Sequence, residues 1–141
     1  MVQEIRGEEI KIESDPECLQ DAREFVRRVC LDADLAERVT KRVVQATDEA
    51  VTNIVNHAQM TDDDGQVEIQ VDVSSVRLRV MIRDHTNGTS MDLCSEQGTS
   101  IEEAKRHKLG IFLIQQIMDE INYTFKKGFQ NDLEMIRFIS N

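Results

Sequence analysis

The strongest constraint on the fold is a change of hydrophobic period at Gly65. Before it, apolar residues recur every three or four positions, as in helices, and after it they alternate with polar residues, as in strands. Two alternating runs, 67–73 and 76–82, are separated by Ser74-Ser75 and predict a β-hairpin. The polar positions are acidic in the first run and rich in arginine in the second, so we expect cross-strand ion pairs on a solvated face. Only the other face remains for helices, which predicts a two-layer α/β sandwich.

The remaining periodicity predicts the other elements. Residues 8–12 have the pattern of a short edge strand, and Asp15 and Pro16 form a typical helix start. That helix is followed by a longer one, which Asp32 or Asp34 would cap and which ends near His57. An apolar helix over 109–121 and two alternating runs complete the order β-α-α-β-β-loop-α-β-β. We therefore expect a single domain over residues 1–141, with a mixed, mostly antiparallel sheet and helices on one face.

The charge balance narrows the classes of partner. The 141 residues include 27 acidic and 17 basic side chains, which gives a formal net charge of −10. Such a surface repels phosphate backbones and anionic lipids, so we expect no direct binding to nucleic acid or to membranes. The sequence shows no secretion signal, and no apolar run is long enough to span a bilayer. Three cysteines without Cys-x-x-Cys spacing predict neither disulfides nor a zinc site, and they favour a reducing cytoplasm.

The first chemical cluster lies near the end of the long second helix, over residues 48–58. Glu49 and Asn53 are four residues apart, so on a helix they project from the same face, one turn from each other. Asn56 and His57 follow on the next turn. Asparagine is a poor residue for a helix interior, so two of them near a helix end require a reason. Either they act as local caps or they bind a ligand.

Two further clusters flank the predicted loop. Asp84 directly follows an apolar strand, with Gly88 four residues later, which is typical of a turn and also suits a hydrogen-bond acceptor for a ligand. Directly before the apolar helix stand four side chains that can carry positive charge: Lys105, Arg106, His107 and Lys108. With the unpaired amides of a helix N-terminus they would form an anion site, and the alternative is a solvated basic stretch balanced by nearby acids. The spacing of the histidines predicts no metal site.

Taken in order, these stretches resemble the anti-sigma-factor serine kinases of bacteria, a branch of the histidine-kinase-like ATPase (Bergerat) fold. The resemblance runs from about Asp15 to the C-terminus, and its most specific part is the string E-A-V-T-N-x-x-x-H. The matching stretches are Asp48-Glu49-Ala50-Val51-Thr52-Asn53 with His57-Ala58, and Leu109-Gly110-Ile111 followed by Met118-Asp119-Glu120.

The resemblance implies roles for individual residues. Asn53 would bind Mg²⁺, and Glu49 would act as general base toward a serine hydroxyl of a partner protein. Asp84 would accept a hydrogen bond from the adenine amino group, and Gly110 would belong to the phosphate-binding glycine box. The expected cofactors are ATP and Mg²⁺, and the expected binding set is Asn53, Asp84, Gly88, Lys105, Arg106, Lys108, Leu109 and Gly110.

The sequence also departs from the family pattern. Thr86 stands where the first box has a glycine, and Lys108 replaces the glycine before Leu109. Lysine keeps the backbone N–H and adds a positive charge, so phosphate binding survives if the φ angle there is negative. The glycine-threonine pair that usually precedes the last strand is missing. Two of the three nucleotide-facing signatures are therefore degraded, whereas Glu49 and Asn53 are intact.

These features predict a cytoplasmic regulatory kinase. It would phosphorylate a serine on an anti-sigma antagonist of the STAS type and sequester a sigma factor when the antagonist is phosphorylated, and the resemblance implies a homodimer. The first alternative is a protein-binding module of the same fold with weak or lost ATP binding, which the degraded boxes favour. The second, which ranks below the first, is the catalytic fragment of a two-component sensor. It would need an upstream dimerisation helix pair with a histidine that accepts phosphate, and no histidine precedes His57.

Overall fold

The computed structural model describes residues 6–61, 65–84, 113–126 and 130–139. These residues form two long helices, five strands and a short helical segment over 113–117. The bounds in chain order are β1 (Arg6–Glu13), α1 (Cys18–Asp32), α2 (Glu37–Thr61), β2 (Gln66–Val73), β3 (Arg77–Asp84), β4 (Glu120–Lys126) and β5 (Gln130–Phe138). The succession of these elements matches the predicted order. None of the described helices is long and apolar enough to cross a membrane.

The five strands form one sheet in the order β1-β2-β3-β5-β4, and every pair of described neighbours is antiparallel. The predicted hairpin is confirmed, because β2 and β3 pair from Val73 opposite Leu78 to Val67 opposite Asp84. The predicted edge strand is also confirmed, and it is longer than expected at both ends. The sheet was expected to be mixed and mostly antiparallel, and its described part has no parallel pair.

One face of the sheet packs against the helices, which confirms the two-layer arrangement. α1 packs against α2 and also contacts β1 and β2, and α2 contacts β3. Alternate residues of β2 and β3 point into this core, as the period of two requires. Residues in the core that are completely buried include Val26, Val43, Ala46, Val51, Val67, Ile69, Val71, Leu78, Val80 and Met135. Each of these valine, leucine, isoleucine and methionine side chains contributes about 1.5–3 kcal/mol through its removal from water.

α1 begins at Cys18, two residues after the predicted first helical position, and Asp15 caps the turn that precedes it. The Asp15 carboxylate accepts hydrogen bonds from the backbone N–H groups of Glu17, at 3.0 Å, and Cys18, at 3.2 Å. The N–H of Cys18 also bonds to the backbone carbonyl of Asp15, so helical hydrogen bonding begins at this residue. Asp15 therefore caps the turn over Pro16 and Glu17 that leads into α1, and Pro16 lies where no N–H is needed.

The junction between the helices differs from the sequence prediction. Asp34, one of the two acids expected to cap α2, has a φ angle of 62° and instead ends α1. Its N–H bonds to the carbonyl of Leu31 at 3.0 Å, and the N–H of Leu35 bonds to that of Cys30 at 3.0 Å. This is the Schellman arrangement, which requires a left-handed residue and usually takes glycine. Aspartate tolerates that conformation better than most residues, which explains its presence here.

The outer face of the sheet carries the predicted charge pairs. Arg79 on β3 bonds to Asp72 on β2 at 3.0 Å and to Glu134 on β5, and Asn122 on β4 donates to Glu134 at 2.9 Å. The hydrogen bond from Arg79 holds the pKa of the Glu134 carboxyl below its usual range. A Cβ at Gly7 on β1 would lie 2.5 Å from the Asp72 carboxylate, so glycine leaves room for this network. Side chains of alternating charge thus link β2, β3 and β5, and the Asn122 amide joins β4 to them.

Two cysteines belong to the core of α1. Cys18 and Cys30 are free thiols, and both are buried. Burial raises the pKa of the Cys18 thiol to about 11 and that of the Cys30 thiol to about 12. Both groups are therefore un-ionised at neutral pH and have the character of small apolar side chains rather than nucleophiles.

Candidate functional site

The long helix α2 positions the two most informative polar residues. Its orientation is fixed by an apolar stripe in which Val43, Ala46 and Ala50 are almost completely buried. Glu49 and Asn53 lie beside this stripe, four residues apart on one continuous helix, so they share a face as the sequence predicts. Each residue is half-buried. They therefore lie neither on the fully solvated surface nor within the packed core.

Glu49 differs from the acid that precedes it. The Asp48 carboxylate bonds to the guanidinium of Arg23 on α1 at 2.8 Å, and this pair joins the two helices. The Glu49 carboxylate makes no hydrogen bond or ion pair with any residue that the structure describes. Two neighbouring carboxylates thus have different environments, one used in helix packing and the other available for a ligand.

Asn53 has an unsatisfied amide group. Its Nδ2 atom is buried and has no hydrogen-bond partner within the described part of the chain. Leaving such a group without a partner costs about 1–3 kcal/mol, so folded proteins rarely tolerate it without compensation. A local cap, the alternative reading of this asparagine, would engage the amide with nearby backbone groups. The amide is therefore better explained by a ligand or a bound water than by capping.

Asp84 is the last residue of β3 and is 3% exposed. It lies directly opposite Val67 in the antiparallel register, and Val67 is part of the core. Directly opposed residues point to the same face of a sheet, so Asp84 points toward the helical layer. Since α2 ends just before β2 begins, and Asp84 lies opposite the start of β2, Asp84 lies at the end of the sheet from which the chain connects to the last turn of α2.

Most of the predicted nucleotide-binding set lies outside the described residues. This applies to the loop after β3 and to the residues before the helical segment over 113–117: Gly88, Lys105, Arg106, Lys108, Leu109 and Gly110. Thr86, which departs from the family pattern, lies there as well. The roles of these residues stay predictions, as do those of Glu49, Asn53 and Asp84.

One anchoring residue was missed by sequence reasoning. Arg137 on β5 donates through Nη1 to the carbonyl oxygen of Ile117 at 2.8 Å, at the end of the helical segment over 113–117. Asp119 adds two bonds to the same strand, since its N–H bonds to the Ile136 carbonyl and its carboxylate accepts from the N–H of Phe138 at 2.6 Å. A signal existed: Arg137 occupies an inward position of an alternating strand, where an apolar residue is expected.

No group of three histidine, cysteine, aspartate or glutamate side chains within the described ranges is arranged to hold a metal ion. The candidate polar groups are one carboxylate and one amide on α2 and one buried carboxylate at the end of β3. Such a set can orient a ligand and accept a proton.

Comparison with protein families assigns the chain to a known domain family. Residues 12–137 match the model of the histidine kinase-like ATPase domain. The chain belongs to this family, which confirms the expected fold, a two-layer α/β sandwich with helices on one face of the sheet.

The relatives are serine-protein kinases named RsbW. The chain is 28% identical over 127 residues to that of Listeria monocytogenes serotype 4a, covering 84% of this chain and 80% of the relative. It is 27% identical over 128 residues to that of Oceanobacillus iheyensis, covering 85% and 80%. Over a shorter stretch of 91 residues it is 31% identical to the Bacillus subtilis protein, covering 59% and 56%.

Proposed function

We propose that this protein is an ATP- and Mg²⁺-dependent serine kinase that acts on an anti-sigma antagonist of the STAS type. The observation that carries the proposal is the pair formed by Glu49 and Asn53. Both lie half-buried on one face of α2, and neither the carboxylate of the first nor the buried amide nitrogen of the second has a partner within the described chain. The kinase names of the relatives support the same reaction.

The chemistry of Asn53 fits a Mg²⁺ ligand. A half-turn about its terminal side-chain bond places Oδ1 where the unpartnered Nδ2 atom now lies. Amide oxygen is a hard ligand that suits Mg²⁺, which keeps phosphate oxygens and waters in its other positions. When bound, Mg²⁺ would neutralise negative charge on the phosphate oxygens. Asn53 would therefore fix the position of the triphosphate relative to α2.

Glu49 would accept the proton in the transfer step. The serine Oγ of the partner forms a bond to the γ-phosphorus, and the bond from that phosphorus to the bridging oxygen breaks, so that ADP leaves. The serine proton passes to the Glu49 carboxylate. The absence of any partner for this carboxylate among the described residues leaves it available for that role.

Asp84 would bind the adenine amino group, since its carboxylate is buried at the end of β3 and points toward the helical layer. Gly88 would belong to the same adenine region. The residues proposed to hold the triphosphate are Lys105, Arg106, Lys108, Leu109 and Gly110. Their N–H groups and positive charges suit an anion in a chain whose net charge is −10.

The regulatory part of the proposal concerns partners. The kinase would hold a sigma factor when its antagonist is phosphorylated and release it when the unphosphorylated antagonist binds instead. It would act in the cytoplasm as a homodimer, without direct contact to nucleic acid or membranes. The charge of −10 supports the last point, because it opposes binding to polyanions.

The deciding experiment mixes the purified chain with γ-labelled ATP, Mg²⁺ and a purified STAS-domain antagonist from the same source. We expect label on a single serine of the antagonist, located by mass spectrometry, and none when Mg²⁺ is omitted. A mixture without the chain is the control for phosphorylation by contaminants.

The second candidate is a non-catalytic binding module, which Thr86, Lys108 and the missing glycine-threonine favour. Titration with a fluorescent ATP analogue separates the two candidates. Binding that requires Mg²⁺ supports the kinase. No Mg²⁺-dependent binding at millimolar nucleotide, combined with tight binding to the antagonist or the sigma factor, would establish the module instead.

A further inference from the structure

The first half of α2 carries a row of unpaired positive charges. Arg38, Lys41 and Arg42 are spaced by three and four residues, so they lie on one face of the helix, and all three are exposed. None of them makes an ion pair or a hydrogen bond with a residue that the structure describes. We name this row the α2 basic stripe.

The basic stripe is unusual within this chain. The protein has 27 acidic residues, and the arginines of α1 are each bonded to a carboxylate. Glu37 stands four residues before Lys41, where it could pair along the helix, but its carboxylate bonds to Arg27 at 2.7 Å. The residues of the stripe therefore have no ion-pair partner among the described residues, although the chain contains many acidic side chains.

The basic stripe does not serve helix stability. Positive charge in the first turn of a helix opposes the helix dipole, and Arg38 lies in the first turn of α2. Arg38 is also three residues from Lys41 and four residues from Arg42, and like charges at these spacings on a helix repel each other. Both effects are unfavourable to folding, so the stripe is better explained by a binding partner.

The position of the stripe indicates what that partner is. Arg42 is followed on the same face by Gln45 and then by Glu49, the proposed base. The seven residues from Arg42 to Glu49 correspond to about 10 Å along the helix axis. A protein segment lying on the stripe would therefore bring its neighbouring residues close to the proposed site of phosphoryl transfer.

We propose that the α2 basic stripe docks an acidic segment of the serine-bearing substrate protein, an inference that rests on the proposed kinase function. Guanidinium groups match carboxylates in geometry, and three cations in one row suit a run of glutamate or aspartate side chains. The net charge of −10 repels an extended polyanion such as DNA or an anionic membrane at long range. A short acidic segment can contact the stripe alone, whereas a long polyanion also has to cross the rest of a surface whose net charge is negative.

Nuclear magnetic resonance of the ¹⁵N-labelled full chain tests the surface directly. The probe is a glutamate-rich peptide, and a glutamine-rich peptide of the same length is the control. We expect amide shifts over residues 38–45 with the first peptide only, and we expect raised salt to abolish them. The triple variant R38Q/K41Q/R42Q should lose these shifts, whereas the charge-matched triple variant R23Q/R27Q/R28Q, made in the paired arginines of α1, should keep them.

Several outcomes would overturn the docking surface. These are shifts of equal size in both triple variants, shifts centred away from residues 38–45, or stronger shifts at the stripe with duplex DNA or phosphatidylserine vesicles than with the acidic peptide. The last result would assign the stripe to a polyanion rather than to a protein.

Kinetics with the STAS-domain antagonist then test the link to phosphorylation. For R38Q/K41Q/R42Q we expect KM for the antagonist to rise about tenfold with kcat unchanged, since a tenfold change corresponds to about 1.4 kcal/mol of lost binding. An unchanged KM would refute the role of the stripe in substrate docking. If the unmodified chain transfers no phosphate at all, the proposed function fails, while the peptide titration still decides whether the stripe binds acidic protein segments.

Discussion

The two long helices differ in how their basic side chains are used. On α1, Arg23 and Arg27 are bonded to carboxylates at 2.8 Å and 2.7 Å, and Arg28 is bonded to Glu8 on β1 at 2.9 Å. On the outward side of α2, the basic stripe and Glu49 have no partner among the described residues. The first helix uses its arginines to hold neighbouring elements, including Glu37 and Asp48 of α2. The second helix leaves its basic residues without a partner among the described residues.

This difference separates charged residues with a structural role from those available for binding. An ion pair between two elements of the same chain adds modestly to stability and leaves no capacity for a ligand. A charged side chain without an ion-pair partner does not hold its helix to a neighbouring element, but the helix already positions it for a binding partner. The comparison therefore predicts that substitutions of the paired arginines on α1 change mainly the free energy of unfolding, whereas substitutions of the unpaired charged residues on α2 change mainly binding and catalysis.

The largest effect is expected at Glu49. Glu49→Ala should lower the rate of phosphoryl transfer to the antagonist by about 10²–10⁴, the usual contribution of a general base, and should leave ATP affinity unchanged. Asp48→Ala is the matched control, because it removes the neighbouring carboxylate, which is paired with Arg23, and should change the rate little. Normal transfer by Glu49→Ala, measured with labelled ATP, would show that its assignment as base is wrong.

The next effect is expected at Asn53. Asn53→Ala should abolish Mg²⁺-dependent binding of an ATP analogue and, with it, phosphoryl transfer. Its free energy of unfolding should rise by about 1 kcal/mol, because a buried amide nitrogen without a partner is removed. Asn56→Ala, at an exposed position one turn later, is the control and should retain binding. Loss of both stability and binding in Asn53→Ala would instead indicate a structural role.

A smaller effect tests the two helices against each other. Arg23→Ala should lower the free energy of unfolding by about 0.2–1 kcal/mol, since it breaks the half-exposed pair with Asp48. Arg38→Ala should leave that free energy unchanged or raise it by about 0.3 kcal/mol, because it removes a positive charge from the first turn of α2. Urea unfolding at low salt measures both changes. Equal destabilisation by the two variants would contradict the proposed difference between the helices.

The smallest effect lies at the junction of the two helices. Asp34→Gly should raise the free energy of unfolding by about 0.5 kcal/mol, since glycine adopts the φ angle of 62° without strain. The gain is limited by the greater freedom of glycine in the unfolded chain. Asp34→Ala should be destabilising. Thermal unfolding of the two variants gives the comparison, and a stabilising alanine would mean that the left-handed conformation is not required.

Much of the fold could be predicted because periodicity reports which face of an element is buried. The alternation in β2 and β3 and the cap at Asp15 before α1 follow from local chemistry alone. The ending of α1 could not be predicted, because an aspartate in this position suits either an N-cap or a left-handed C-terminal residue. Only the tertiary path between the helices decides between these two roles.

The candidate site was predictable only in part. The four-residue spacing of Glu49 and Asn53 is visible in the sequence, as is the carboxylate at the end of an apolar strand. The sequence did not show which of the two adjacent acids forms an ion pair, because the pairing of Asp48 with Arg23 depends on how the two helices pack. The basic stripe was also missed, since the sequence shows which residues are charged but not which of them lack a partner.

The linked charges on the outer face of the sheet have a consequence for how this sequence can diverge. Arg79 lies between two carboxylates from two different strands, Asp72 and Glu134, so its loss alone would leave two like charges facing one vacated position. Substitutions that are tolerated at these positions should therefore occur together, either with the charges of all three residues reversed or with all three replaced by uncharged residues. Among homologues, these positions should therefore covary across strands that are distant in the chain.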